Sequence, residues 1–109
     1  MPKLKVREQV AVFTGASLGN SSGFALNDAV MSTHYVDWPQ GTAGTIFVDV
    51  ARTVNGPWIQ KGQLDAPAEA ADGNALAYYQ LNEPVEFARH RVGGTLVGGS
   101  INSYYDAWQ

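Results

Sequence analysis

The fold of this chain is decided by residues 44–58, which read Gly44-Thr45-Ile46-Phe47-Val48-Asp49-Val50-Ala51-Arg52-Thr53-Val54-Asn55-Gly56-Pro57-Trp58. Ile46, Val48 and Val50 recur every second position, which is the period of a half-buried β-strand. Residues branched at Cβ also suit the pleated surface of a sheet. Asn55-Gly56 tolerates positive φ, so we expect the chain to reverse there and residues 58–61 to return as an antiparallel partner. The stretch therefore predicts a β-hairpin.

Five other segments also favour strands, between turn-forming residues. Residues 6–13 alternate in the same way, residues 31–38 look extended and aromatic, and residues 75–81 are apolar on both faces, as expected for a strand covered on both sides. Residues 85–92 form another predicted strand, and residues 95–108 form the final extended segment, with a bend at Gly98-Gly99. Short strands at regular spacing, without a convincing helix, predict an all-β fold: an antiparallel β-sandwich or jelly roll of about six to eight strands with long connecting loops. A chain of 109 residues forms a single domain over 1–109, with residues 1–5 as a loose N-terminal arm.

Composition excludes several classes of function. The chain has no cysteine, so it has neither disulfides nor thiol chemistry. Its start lacks the apolar core of a signal peptide, and no apolar run approaches the ~18 residues that cross a bilayer. The seven lysines and arginines are scattered and the net charge is −3, which disfavours direct binding of nucleic acid. Charged residues make up 16% of the chain, against about 25% on average, which indicates a surface partly covered by a partner.

The sequence Arg89-His90-Arg91 is the most chemically suggestive cluster. On a strand, Arg89 and Arg91 share one face and His90 points the opposite way. Two arginines on one face can bind a carboxylate or phosphate. The interpretation we favour is that they pair with acidic residues of neighbouring strands on a subunit-contact face, since arginine is enriched at interfaces. His90 is expected to be a core histidine with one satisfied hydrogen bond.

No motif for metal binding or catalysis stands out. His34 and His90 lack metal-ligand spacing, and the acidic residues in 65–72 lack the calcium-loop pattern. The glycine-rich residues 14–23 lack the Walker lysine of a phosphate-binding loop. No serine lies in a Gly-x-Ser-x-Gly setting, and nothing singles out a pair of carboxylates. The sequence predicts a protein that is not an enzyme, with no catalytic residues, cofactor or metal.

Aromatic residues are the remaining candidates for function. The adjacent pairs Tyr78-Tyr79 and Tyr104-Tyr105 place one ring on each face of a strand. Tyrosine and tryptophan suit subunit contacts because they bury a large area at low entropic cost. Exposed rings can also stack on sugars, so a carbohydrate-binding or adhesion module is an alternative. The predicted interface residues are Arg89, Arg91, Tyr78, Tyr104, Tyr105 and Trp108.

Two segments carry a family resemblance. The first is residues 44–50 leading to Asn55-Gly56-Pro57-Trp58, and the second is residues 84–95 followed by Gly99-Ser100-Ile101. The succession is a strand, an Asn-Gly turn, a tryptophan, an Arg-x-Arg strand, a Gly-Gly-Thr turn and a final strand. It resembles the small β-sandwich structural proteins of tailed bacteriophages, over residues 44–108.

The resemblance implies a virion structural protein, most specifically a capsid decoration or cement protein. Such a protein binds across capsid subunits and stabilises the head, because it binds the assembled lattice better than the free subunits. A tail or baseplate component is the alternative location. The implied partners are the major capsid protein or another virion protein, together with copies of the chain itself in a homo-oligomer, a trimer being favoured. The implied location is the virion, assembled in the host cytoplasm.

Overall fold

The computed structural model describes residues 4–16, 19–26, 29–94 and 96–109. Its strands are β1 Lys5–Ala16, β2 Phe24–Ala25, β3 Met31–Trp38, β4 Thr45–Ala51, β5 Ile59–Asp65, β6 Ala75–Leu81, β7 Phe87–Val92 and β8 Ile101–Trp108. One 3-10 turn, Ala68–Ala71, follows Pro67. Within these residues no helix has the length and hydropathy needed to cross a membrane.

The strands form two four-stranded antiparallel sheets. Sheet A has the order β1-β8-β3-β6, and sheet B has the order β2-β7-β4-β5. Pairing is nested around the central hairpin: β4 pairs with β5, β3 with β6, β2 with β7, and β1 with β8. This is one long antiparallel hairpin rolled into a jelly roll. The prediction of an all-β sandwich of six to eight strands is confirmed.

The predicted hairpin forms from β4 and β5, with the return strand beginning at Ile59 and not at Trp58. Ile46 and Val48 are fully buried, and Val50 lies opposite the buried Ala88 of β7, so the alternating residues face sheet A. The reversal uses the positive φ of Gly56, 93°, whose N–H donates to the carbonyl of Thr53 at 3.0 Å. The loop between the strands covers residues 52–58 because β5 begins only at Ile59.

Most of the core that the described residues form between the sheets lies in two apolar clusters. One contains Val36, Trp38, Ile46, Val48, Leu64, Ala70, Val92, Leu96 and Ile101. The other contains Leu26, Ala29, Ala88, Tyr105 and Ala107. Tyr79 closes the side of the first cluster by packing on Gly62, where a Cβ atom would overlap its ring. Most of the large apolar side chains therefore face inward, as the alternation predicts.

Two predicted boundaries need correction. The loose arm was predicted over residues 1–5, of which 1–3 lie outside the described residues. Leu4 exchanges two backbone hydrogen bonds with Gln109, and Lys5 begins β1 opposite Trp108, so the prediction is wrong for these two residues. The last strand was predicted from residue 95, but it begins at Ile101, since Gly98 and Gly99 both adopt positive φ in a turn.

Candidate interaction surfaces

Three tyrosines form a row across the outer face of sheet A. Tyr35 of β3 lies opposite Tyr78 of β6 on one side and opposite Tyr104 of β8 on the other. The ring centroids are 6.5 Å apart for Tyr35 and Tyr78 and 5.1 Å apart for Tyr35 and Tyr104. We call these three residues the tyrosine row. Cross-strand neighbours on one face of a sheet contact each other in this way. The tyrosine row therefore results from the register of β3 with β6 and with β8.

Two carboxylates hold the tyrosine row in place. The hydroxyl of Tyr35 donates to Asp106 at 3.2 Å, and the hydroxyl of Tyr104 donates to Asp37 at 3.2 Å. Asp106 is also 3.3 Å from the ammonium group of Lys5. Burial, reinforced by the neighbouring carboxylates, raises the pKa of both tyrosines. Both hydroxyls therefore remain protonated donors at neutral pH, and the rings have few rotamers left to lose on binding.

Two rings of the tyrosine row cover each other, and the third is largely exposed. Tyr35 and Tyr104 are within 17° of parallel, so each ring covers a face of the other. Tyr78 is 68% exposed, and Leu76, two residues earlier on the same face of β6, is 51% exposed. Stacking on a sugar requires an open ring face, whereas protein contacts use edges, hydroxyls and aliphatic side chains together. In this row the ring of Tyr78 is open to solvent, beside the ordered pair of Tyr35 and Tyr104.

The predicted aromatic contact residues fall in three different environments. Tyr78 and Tyr104 belong to the tyrosine row. Trp108 is partly exposed, with the ammonium group of Lys5 4.8 Å from its ring centroid. Tyr105 is in the core, 4% exposed and stacked on Phe24 with centroids 4.3 Å apart.

The prediction that Tyr105 is an interface residue is therefore wrong. Alternation turns its ring inward while that of Tyr104 points outward. The predicted set also lacks Tyr35, which the structure places at the centre of the row. Its importance comes from its neighbours on β6 and β8, and local sequence gives no signal of that pairing.

On the outer face of sheet B, Arg89 and Arg91 bind one carboxylate. Asp49 Oδ2 accepts from Arg89 Nε at 3.0 Å and from Arg91 Nε at 2.8 Å, while Oδ1 accepts from Arg91 Nη2 at 3.1 Å. Burial alone would raise the pKa of Asp49, but the hydrogen bonds and charges of the two arginines lower it. The prediction that these arginines pair with an acidic residue of a neighbouring strand is confirmed, and their role at an interface stays a prediction.

A chain of four polar side chains crosses the core between the sheets. Ser32 Oγ is 2.8 Å from His34 Nε2, His34 Nδ1 is 2.8 Å from His90 Nε2, and His90 Nδ1 is 2.8 Å from Ser103 Oγ. We call these residues the histidine chain. All four are buried, and they connect β3 and β8 of sheet A to β7 of sheet B.

The histidine chain consists of neutral groups at neutral pH. Burial lowers the pKa of His90 to about 3, and burial together with the charge of His90 lowers that of His34 well below 6.5. Two neutral imidazoles can share a single N–H between their facing nitrogens. The prediction that His90 is a core histidine is confirmed, although both of its ring nitrogens are bonded instead of one. Because the four side chains of the histidine chain are buried, the histidine chain is suited to link the two sheets structurally.

The described residues bring together no group of three or more histidine, aspartate or glutamate side chains placed to hold a metal ion. No protein-family model matches this sequence, and neither a curated protein nor a solved structure matches it. The two outer faces and the histidine chain are therefore the observations on which a function is proposed.

Proposed function

We propose that this protein is a non-enzymatic structural protein that binds a protein partner through the outer face of sheet A. The observation that carries the proposal is the tyrosine row, with Tyr78 exposed and the other two rings held by carboxylates. Aromatic anchors of this kind dominate binding energy at interfaces. Because Tyr35 and Tyr104 are already ordered, binding costs little additional side-chain entropy.

The edge of sheet A adds to this surface. β6 is the last strand of the sheet, and it carries both Leu76 and Tyr78 on its outer face. A partner at this edge can contact the two side chains and also pair with the free backbone groups of β6, as in β-strand addition. A stable complex needs roughly 1,000 Å² of buried area or more, so in this proposal the partner covers the tyrosine row and the edge together.

For the partner we propose a virion protein of a tailed bacteriophage, the major capsid protein in particular. The support is the resemblance of residues 44–108 to phage β-sandwich proteins and the low fraction of charged residues, 16%. Jelly rolls occur in both viral capsid and lectin domains, so the fold is compatible with this role without selecting it. In this proposal the protein is a homotrimer that decorates the head and stabilises it by binding the assembled lattice. A tail or baseplate position is the alternative within the same class.

The test is whether the protein co-purifies with phage particles. Particles banded in a density gradient after host lysis are analysed by mass spectrometry, and particles stripped of the protein are then incubated with purified variants. We expect the wild type to rebind, Tyr78→Ser to rebind at least tenfold more weakly, and Val54→Ser to rebind normally. Val54 is a suitable control because it is an exposed apolar residue in the β4–β5 loop. Absence of the protein from every particle fraction would overturn the virion assignment.

Oligomeric state gives a second, independent measurement. Light scattering across protein concentration is expected to give the mass of a trimer, three times 11.7 kDa. A mass equal to one chain at all concentrations would contradict the trimer, while leaving attachment through the tyrosine row to be decided by the particle experiment.

A carbohydrate-binding module is a second candidate, favoured by an open groove beside the tyrosine row. The groove has a volume of about 450 Å³ and is lined in part by Asp37, Asn74 and Leu76. Carboxylate and amide side chains bind sugar hydroxyls, and the exposed ring of Tyr78 lies on the same strand as Leu76. A glycan-array screen distinguishes the two candidates. Binding to a glycan that Tyr78→Ser abolishes supports the carbohydrate-binding module, and binding to no glycan on the array supports the protein partner.

A further inference from the structure

We propose that Arg89 and Arg91 form a binding site for a single carboxylate group presented by an acidic side chain of a partner protein. The site lies on the outer face of sheet B, opposite to the tyrosine row, so it stands independently of the function proposed above. Its core is the buried carboxylate of Asp49, which orders both guanidinium groups without neutralising them.

The hydrogen bonds leave one guanidinium partly unused. Arg91 binds Asp49 through Nε and Nη2, and Nη2 also donates to Gln60 Oε1 at 3.1 Å. Arg89 binds Asp49 through Nε alone, at 3.0 Å. Among the described residues, neither terminal amino group of Arg89 has a hydrogen-bond acceptor. These two groups form a fork that matches the two oxygens of a carboxylate.

Aromatic rings hold both guanidinium groups in position. The guanidinium carbon of Arg89 is 4.6 Å from the centroid of the Trp58 ring, and that of Arg91 is 4.5 Å from the Phe47 ring. Such cation–π contacts orient the cation and remove one of its faces from water. The Arg89 side chain is 18% exposed and that of Asp49 is 2% exposed. The fork is thus ordered before any ligand arrives, which lowers the entropic cost of binding.

Charge selects a singly charged ligand. Two guanidinium cations and one carboxylate leave the cluster with one net positive charge. The ammonium group of Lys61, the residue after Gln60, is paired with Glu83 at 2.6 Å, so it adds no free cation. A carboxylate neutralises the cluster, whereas a doubly charged phosphate would leave it with excess negative charge. An aspartate or glutamate side chain of a partner protein therefore fits the site better than a phosphate group does.

The experiment is an NMR titration of the ¹⁵N-labelled full chain with sodium acetate and, separately, with inorganic phosphate, at constant ionic strength. The reporters are the Nε–H signal of Arg89 and the indole N–H signal of Trp58. We expect acetate to shift both signals to saturation in the wild type. Arg89→Lys keeps the charge but loses the fork and the Arg89 signal, so the Trp58 indole N–H is its reporter, and the saturable shift of that signal is expected to disappear.

Arg52→Lys is the matched control, since Arg52 is exposed in the loop after β4 and its substitution should leave the acetate shift unchanged. Unaltered amide signals of β4 and β7 in Arg89→Lys would show that the loss comes from the fork and not from misfolding. Equal, non-saturating shifts in the wild type and in Arg89→Lys would overturn the site. Tighter binding of phosphate than of acetate would overturn the assignment to a carboxylate.

Discussion

The two faces of β3 each carry residues that are more usual on the opposite face, polar ones inside and an aromatic one outside. Ser32 and His34 point into the core beside Val36 and Trp38 and are buried, whereas Tyr35, the residue after His34, points outward into the tyrosine row. A polar group is tolerated inside when all its hydrogen bonds are made, and each ring nitrogen of the histidine chain has a partner 2.8 Å away. Aromatic rings outside have no such requirement. Burial in this strand therefore follows register and hydrogen bonding, and hydropathy alone would assign it wrongly.

This contrast divides the consequences of mutation between the two faces. Changes in the histidine chain leave polar groups unpaired in the core, where each costs about 1–3 kcal/mol. Substitutions in the tyrosine row expose little buried surface. They should therefore weaken binding to the proposed partner and change the free energy of unfolding only slightly. Four measurements test this division.

The largest loss of stability is expected when the pH is lowered. The folded-state pKa of His34 and of His90 lies below the ordinary value of 6.5, so the unfolded chain binds more protons as the pH falls below that value. The contribution of His90 is complete above about pH 6.5 and declines below it, by about 2 kcal/mol at about pH 5, and His34 acts in the same direction. Urea unfolding at several pH values measures this.

The matched control for acid is the double variant His34→Leu/His90→Leu, whose stability should be nearly constant between about pH 7 and pH 5. Asp49 and Asp65 also have lowered pKa values, but their ordinary value is 3.8, so they act at lower pH. An equal decline in the wild type and in the double variant would mean that the histidines are not the cause.

A single substitution in the histidine chain is expected to have the next largest effect. His90→Leu leaves His34 Nδ1 and the Ser103 hydroxyl without their ring partner, and should cost about 2–4 kcal/mol of unfolding free energy. His34→Leu/His90→Leu should cost less than the sum of the two single variants, because neither ring then remains unpaired. Denaturant unfolding of the three variants gives the coupling energy, and strict additivity would refute the direct bond.

A smaller loss of stability is expected when the hydroxyl of Tyr35, on the outer face of β3, is removed. Tyr35→Phe keeps the ring in the tyrosine row but removes the hydrogen bond to Asp106. We expect a loss of about 1 kcal/mol, since Asp106 retains Lys5 and the backbone N–H of Gln9 as partners. Thermal unfolding measures it, with Tyr78→Phe as the control, and an equal loss in both variants would contradict the role given to this hydroxyl.

The smallest effect on stability is expected for Tyr78→Ser. Its ring is largely in solvent, so the free energy of unfolding should change by no more than about 0.5 kcal/mol. Binding to the partner surface should nevertheless fall at least tenfold. A destabilisation above about 2 kcal/mol would show that the ring is part of the folded core and would remove the separation between the faces.

The sequence predicts where the strands of this fold lie better than it predicts which strands pack against each other. Alternation at Ile46 and Val48 is local, so the hairpin of β4 and β5 can be read directly. The pairing of Arg89 and Arg91 with an acid follows because two charges on a strand flanked by other strands require a partner. His34 and Tyr35 differ in this respect: their partners lie on β6, β7 and β8. Their contacts depend on how the long hairpin is rolled, which no local pattern encodes.

The position of β8 has a consequence for synthesis on the ribosome. β8 is the last strand in the sequence but lies inside sheet A, between β1 and β3. Until it emerges, β1 has no partner strand, one edge of β3 is open, and Ser103 is missing from the histidine chain. Sheet B contains only earlier strands and can assemble first. Sheet A therefore stays incomplete until β8 has been synthesised, and aggregation through its open strand edges competes with folding during that interval.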